Sequence, residues 1–185
     1  MKRISLSCLL LTACLMLGSA EYAAGQDASM VRAEIATTME AAGRKMVALA
    51  EAMPQEAYAW RPSEGVRSVS EVYMHVVGTN YWFPTVVGGE PPSASGVTAA
   101  YRSVPPLESE TDKATVVAAL RASFEYVVEF IRNAPADRLD EAVDMFGQTT
   151  THRGVLLETS VHLHEHLGQS IAYARTNGVT PPWSR

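Results

Sequence analysis

From Ala28 to Met53 the apolar residues Val31, Ile35, Met39, Ala42, Met46, Leu49 and Met53 recur in steps of four and three. That is the period of a helix face packed in a bundle, and Pro54 closes it. A second helix is announced by Ser68-Val69-Ser70-Glu71, where the serine hydroxyl can cap free amides and the glutamate three residues on can answer it. It should run to about Phe83, with Pro84 ending or kinking it. Gly88 to Pro106 is rich in Gly, Pro and Ser and lacks periodicity. It reads as a long connection, longer than compact domains usually carry without a reason.

A third helix is expected from about Asp112 to Asn133, with Val117, Leu120, Phe124, Val127 and Ile131 on one face. Residues Pro135 to Thr150 are irregular, with room for a short helical turn or strand. The fourth helix should span roughly Arg153 to Thr176, stopped by Gly178 with Pro181 and Pro182 beyond. Four amphipathic helices without a convincing run of alternating strands predict an all-α protein, a four-helix bundle.

The N-terminus changes the picture of where such a bundle works. Met1-Lys2-Arg3 is followed by an apolar run from Ile4 through Leu17 and by the small residues Gly18-Ser19-Ala20. This is the layout of a secretory signal, and the run is too short for a permanent span, which needs about 20 apolar residues. Cleavage after Ala20 or after Gly25 both fit, so residues 1–25 are expected to be a leader and 26–185 the mature domain, periplasmic or secreted. A competing reading is a lipoprotein: Leu11-Thr12-Ala13-Cys14 resembles a lipobox, and membrane attachment would then follow from lipidation at Cys14. Against it, Leu15-Met16-Leu17 continues the apolar run past the cysteine.

Both cysteines of the chain, Cys8 and Cys14, lie in the leader, so ordinary cleavage leaves a protein with neither disulfide nor thiol nucleophile. Removal of Lys2, Arg3 and Glu21 from the 15 basic and 20 acidic residues leaves 13 and 19, a net charge of −6. An acidic chain without a basic run is a poor candidate for nucleic-acid binding. About 160 residues make one ordinary domain, and a homodimer stays open.

Histidine carries the candidate chemistry. His162, His164 and His166 lie on the fourth helix and His75 on the second. At about 100° per residue, His162 and His166 stand about 40° apart on one face, whereas His164 is turned by about 200°. The pair borders the apolar face of Leu156, Leu163, Leu167, Ile171 and Ala174, and His75 borders that of Val69, Val72 and Val76. Two helices can therefore aim three imidazoles at one point. Neutral imidazole is a good ligand for Zn, Ni, Cu or Fe, and three protein ligands leave a position open. The plain alternative is a set of hydrogen-bonded, half-buried histidines of no chemical role. If the imidazoles do bind a metal, binding should weaken below about pH 6.5, where free imidazole protonates.

His162-x-x-Glu165-His166 also matches the inverted zinc-protease pattern, but that pattern takes its third ligand from a downstream glutamate. No Asp or Glu follows Glu165, and no Gly-x-Ser-x-Gly elbow marks a serine hydrolase. Glu71 is accounted for by the capping box, with a role beside the metal as the alternative. His164 reads as a surface residue and His152 as a capping or exposed one. Trp60, Tyr81 and Trp82 read as packing. Asn80 and Gln169 lie near the faces concerned without an assigned role.

Taken together, Trp60-Arg61-Pro62, Ser68, Glu71, His75, His162-x-x-Glu165-His166-Leu167-Gly168-Gln169 and Tyr173-x-Arg175-x-x-Gly178-x-x-Pro181-Pro182 resemble the DinB superfamily of bacterial helical proteins. The resemblance spans nearly all of the mature chain. It implies a four-helix bundle of DinB type with a long crossover connection, and a metal held by three histidines, matched here by His75, His162 and His166. The implied cofactor is a divalent ion, Zn, Ni or Fe. Some members transfer low-molecular-weight thiols or isomerise substrates with a thiol cofactor; those thiols are cytoplasmic, whereas this chain carries an export signal. Two functions follow as expectations: an exported metal-dependent hydrolase or transferase acting on an unidentified small molecule, or a metal-stabilised bundle without catalysis.

Overall fold

The computed structural model describes the backbone of residues 6–184 and side chains from Ser29 to Ser184. The leader expected over 1–25, with Cys8 and Cys14, lies outside the residues whose side chains are described. Four α-helices carry the fold among the described residues: α1 (Leu6–Ala52), α2 (Val69–Val86), α3 (Lys113–Asn133) and α4 (His152–Thr176). α1 and α2 each pack against both α3 and α4, which leaves α1 diagonal to α2 and α3 diagonal to α4. No helix among the described residues is long and apolar enough to cross a membrane.

The face expected on α1 is the one the bundle buries: Met39, Met46 and Leu49 are fully covered, as is Met53 just beyond the helix. On α3 four of the five expected positions, Leu120, Phe124, Val127 and Ile131, are buried, and only the first differs. Val116 is fully buried with Leu120, Val127 and Ile131, whereas Val117 is only partly covered. α2 opens with the capping box its sequence announces, Ser68 Oγ accepting from the Glu71 amide and the Glu71 carboxylate from the Ser68 amide at 2.7 Å. It passes through Pro84 to Val86. A proline in the last turn forfeits one backbone bond while its fixed φ remains helical, so the helix can finish two residues later.

α2 is buried on nearly every side, from Val69 to Pro84 with only Glu71 partly exposed. Its composition allows this, because Glu71 is its one charged residue. The long connection between α2 and α3 supplies the extra cover. It is not structureless: it makes 3-10 turns at Ser93–Ser95, Tyr101–Ser103 and Pro105–Ser109, and the last of these packs on α2. Contact is close at Gly78, where a β-carbon would come within 2.6 Å of Val104 Cγ1. The connection seats here because the helix surface lacks a side chain.

Between α3 and α4 the irregular stretch contains a 3-10 turn at Ala136–Arg138 and a hairpin of β1 (Ala142–Met145) with β2 (Gln148–Thr151). The strands are antiparallel, Ala142 opposite Thr151 and Met145 opposite Gln148. Their two-residue turn is Phe146-Gly147, both with positive φ, 56° and 76°. This is the backbone of a type I′ turn, which ordinarily selects Asn or Gly at its first position. Phe146 is the one non-glycine residue with positive φ among those described. Thr151 then caps α4 by accepting from the Gly154 amide, and α4 ends with Gly178 at φ 74°.

Candidate metal centre

His75 lies midway along α2, buried, and faces His162 and His166 of α4, both partly exposed. The ring centroids of the three are 5.1, 4.9 and 4.5 Å apart. The Nε2 atoms of His75 and His162 are 3.1 Å apart, and one nitrogen from each of the three rings falls within 4.8 Å of the others. α2 and α4 are neighbours, so the pairing of faces expected from the helix periods is realised.

What prepares these rings is the engagement of their other nitrogens. His75 Nδ1 is 3.0 Å from Glu108 Oε1, and Glu108 is itself gripped by Arg67, whose Nε donates to Oε2 at 2.8 Å and Nη2 to Oε1 at 3.1 Å. His166 Nδ1 is 2.9 Å from Gln169 Oε1. Gln169 donates to the Tyr173 hydroxyl, which donates to the Arg67 carbonyl, and Trp60 stands edge-on to the Tyr173 ring. His162 Nδ1 is 3.4 Å from Thr79 Oγ1, whose own proton goes to the His75 carbonyl one turn below. In each case an oxygen accepts from Nδ1–H, which leaves Nε2 with its lone pair free. Carboxylate, amide or hydroxyl partners on the far nitrogen of a metal-binding imidazole serve this purpose.

The electrostatics favour neutral rings at His162 and His166. Burial, followed by the neighbouring His166, His75 and Arg67, pushes His162 down to about 3. Burial also lowers His166, more than its bond to Gln169 raises it. Burial raises the Glu108 carboxyl, but the hydrogen bonds from His75 and Arg67 outweigh it and hold the group ionised, below the usual carboxylate range. Because the folded state disfavours protonated His162 and His166, the unfolded chain takes up more protons once pH drops below about 6.5. Metal-free protein is therefore expected to lose stability from about pH 6.5 downward, while metal binding persists below the pH at which free imidazole would release it. Urea denaturation of the chelated protein at pH 7 and pH 5 measures the first, and metal retention over the same range the second. A flat stability profile in that window would contradict the neutral-ligand assignment.

The remaining residues sort clearly. His164 is exposed, its Nδ1 against the Ser160 carbonyl at 2.7 Å, away from the cluster. His152 is buried rather than exposed, its side chain 3.8 Å from Glu141, and the cap of α4 is Thr151. Glu71 stays with the capping box and an ion pair to Arg61. The carboxylate against His75 is Glu108 instead. Asn80 donates to Ser123 of α3, a bond between helices rather than a part of the centre. Trp60, Tyr81 and Trp82 make ring contacts in the packing, as expected. Glu108 is the functional neighbour that sequence reasoning missed; the unusual length of the connection was its one signal. A groove of about 810 Å³ between α1 and α3 contains none of the three histidines and is lined by Glu40, Arg44, Glu51 and Arg121 among others. It is remote from the chemistry and is bridged by ion pairs such as Arg132 to Glu40.

Fold and cluster together define a helical-bundle protein with a three-histidine site suited to one metal ion. The family model of the DinB superfamily matches residues 38–170. The chain belongs to the DinB superfamily. A crystal structure of a DinB-like protein from Bacillus subtilis shares its fold with a TM-score of 0.61 at 23% identity, over 80% of this chain and 93% of that one. A DinB-like protein from Bacillus cereus gives 0.61 at 18% identity, over 76% and 89%. A search of curated proteins finds no match.

Proposed function

We propose that this protein is an exported metal-dependent enzyme of DinB type, in which His75, His162 and His166 hold one divalent ion, Zn, Ni or Fe, through Nε2. The observation that carries the reading is the outward engagement of all three rings, by Glu108, Thr79 and Gln169. Such an ion would polarise a small substrate or activate water or a substrate thiol at its open position. The protein's own part is positioning. Glu108 and Arg67 fix the His75 ring, and the Gln169–Tyr173 chain fixes His166 against the segment that carries Arg67. Glu108 contacts the far side of His75, so it orients a ligand rather than serving as the base. The partial exposure of His162 and His166 favours catalysis over a sealed structural ion, because a small molecule can approach that side.

Elemental analysis of protein purified without added metal, followed by a hydrolase and transferase screen on small substrates, tests the reading. One equivalent of metal with turnover that disappears on chelation and returns on reloading is the expected result. Stoichiometric metal without turnover leaves the metal-stabilised bundle, and no metal removes both. Export is checked by the mass of the native protein, expected to begin between residues 21 and 26. Retention of Met1 to Ala20, or a lipid on Cys14, would overturn the soluble-export part.

A further inference from the structure

The outer partners of the three histidines differ in one respect, whether their direction of donation can reverse. Glu108 presents to His75 Nδ1, at 3.0 Å, a carboxylate that Arg67 clamps, and its ionised oxygens can only accept. Thr79 faces His162 Nδ1 at 3.4 Å, and its proton is committed to the carbonyls of His75 and Val76 at 2.9 and 3.1 Å, so its oxygen is left to accept. Gln169, the partner of His166, is different. Its amide carries an acceptor and a donor on one rotatable plane, and a half-turn would present NH2 to His166 Nδ1 in place of Oε1. Nδ1 would then have to accept, the ring proton would move to Nε2, and the lone pair needed by an ion would be lost.

What forbids the half-turn lies further out. The Arg67 carbonyl can only accept, so the Tyr173 hydroxyl, 3.1 Å away, donates its one proton there. The same hydroxyl must therefore accept from Gln169 Nε2 at 2.9 Å, and that places Oε1 against His166 at 2.9 Å. Tyr173 is well held for this task, buried with Trp60 edge-on to its ring at 5.3 Å and 81°. Arg67 meanwhile grips Glu108 with its side chain, so the outer partners of His75 and His166 are tied to one residue. We propose that Tyr173 is a positioning residue of the metal centre: by accepting from Gln169 and donating to the Arg67 carbonyl it fixes the amide, and through it the Nδ1–H tautomer of His166 that leaves Nε2 free for an ion. The last step rests on the metal-binding reading above, whereas the tautomer is a property of the metal-free protein. The ring of Tyr173 would pack on Trp60 without its hydroxyl; the hydroxyl is what the centre uses.

The test reads the tautomer directly, by ring-nitrogen NMR of the full mature chain, chelated and near neutral pH. The His166 proton is expected on Nδ1, as is that of His75. In Tyr173→Phe, which keeps the ring against Trp60, the His166 proton should shift toward Nε2 while His75 keeps its own on Nδ1. Zinc affinity, measured by competition with a chromophoric chelator, should fall about 10–100-fold. Adding Gln169→Glu to Tyr173→Phe should restore both the tautomer and the affinity, because a carboxylate presents an acceptor to Nδ1 whichever way it turns. A loss caused by altered packing would not be restored in this way. A wild-type His166 with its proton on Nε2 would overturn the proposal without recourse to any variant. So would an unchanged tautomer in Tyr173→Phe, or a loss of affinity that Gln169→Glu leaves in place, either of which reduces Tyr173 to packing against Trp60. Wild-type protein that carries the Nδ1–H tautomer and takes up no zinc counts against the metal-binding reading instead, and so is distinct from failure of the tautomer assignment.

Discussion

Replacing His162 with alanine is expected to leave a folded protein that no longer retains metal. Its Nε2 lies 3.1 Å from that of His75, so the two nitrogens are placed to share one ion, and two remaining imidazoles hold a divalent ion far less well than three. The loss should exceed the roughly 10–100-fold that removal of an outer hydrogen-bond partner costs. A stability readout accompanies it, because an ion bound between α2 and α4 stabilises only the folded state. With free metal at about 100 times its dissociation constant, that linkage contributes about 2.7 kcal/mol. For a domain of this size the corresponding gap in Tm between metal-loaded and chelated protein is about 5–10 °C. The gap should vanish in His162→Ala and in the matching His75 and His166 variants, and persist in His164→Ala. Comparing each variant with its own chelated form removes the effect of the substitution on packing. Metal content equal to wild type in His162→Ala, after mild chelation and reloading, would return the cluster to three hydrogen-bonded histidines with no ion.

Substitution of Glu108 should produce the second-largest effect, although it is not itself a ligand. Its carboxylate accepts from His75 Nδ1 and is clamped by Arg67, so it determines both the tautomer and the orientation of the ring. Glu108→Ala is expected to weaken metal binding about 10–100-fold, measured by competition with a chromophoric chelator. Glu108→Gln separates two explanations. The amide oxygen can still accept from Nδ1–H, so Gln should stay close to wild type if orientation dominates and fall with Ala if the negative charge dominates. Affinity within about twofold of wild type in both variants would mean that Glu108 serves only to hold the connection against α2 through Arg67.

His162 and His166 share a face because a helix advances a fixed angle per residue, and this follows from their separation of four in any structure that keeps the helix. The same local geometry made the capping box of α2, the stop at Gly178 and the buried face of α1 legible. Periodicity was less informative on α2, which is covered on nearly all sides, so its apolar residues do not single out one face. On α3 only the first position differed, where Val116 rather than its neighbour Val117 is buried. His152 differs for a related reason: a histidine at a helix start resembles a cap, but Thr151 caps α4 and His152 is buried.

By itself the sequence determined the four helices, the capping box of α2, the stop of α4 at Gly178 and the shared face of His162 and His166, because each depends on residues within a turn or two of one another. Tertiary structure alone decided what surrounds the three imidazoles. Glu108 reaches His75 across 33 residues because the connection settles on α2 where Gly78 leaves room for Val104. Phe146 reaches Trp82 because a hairpin between α3 and α4 turns its tip toward α2. Such contacts carry no period and no local motif. They arise when segments far apart in the chain bury surface against one another, and the residues that meet are selected by shape rather than by spacing.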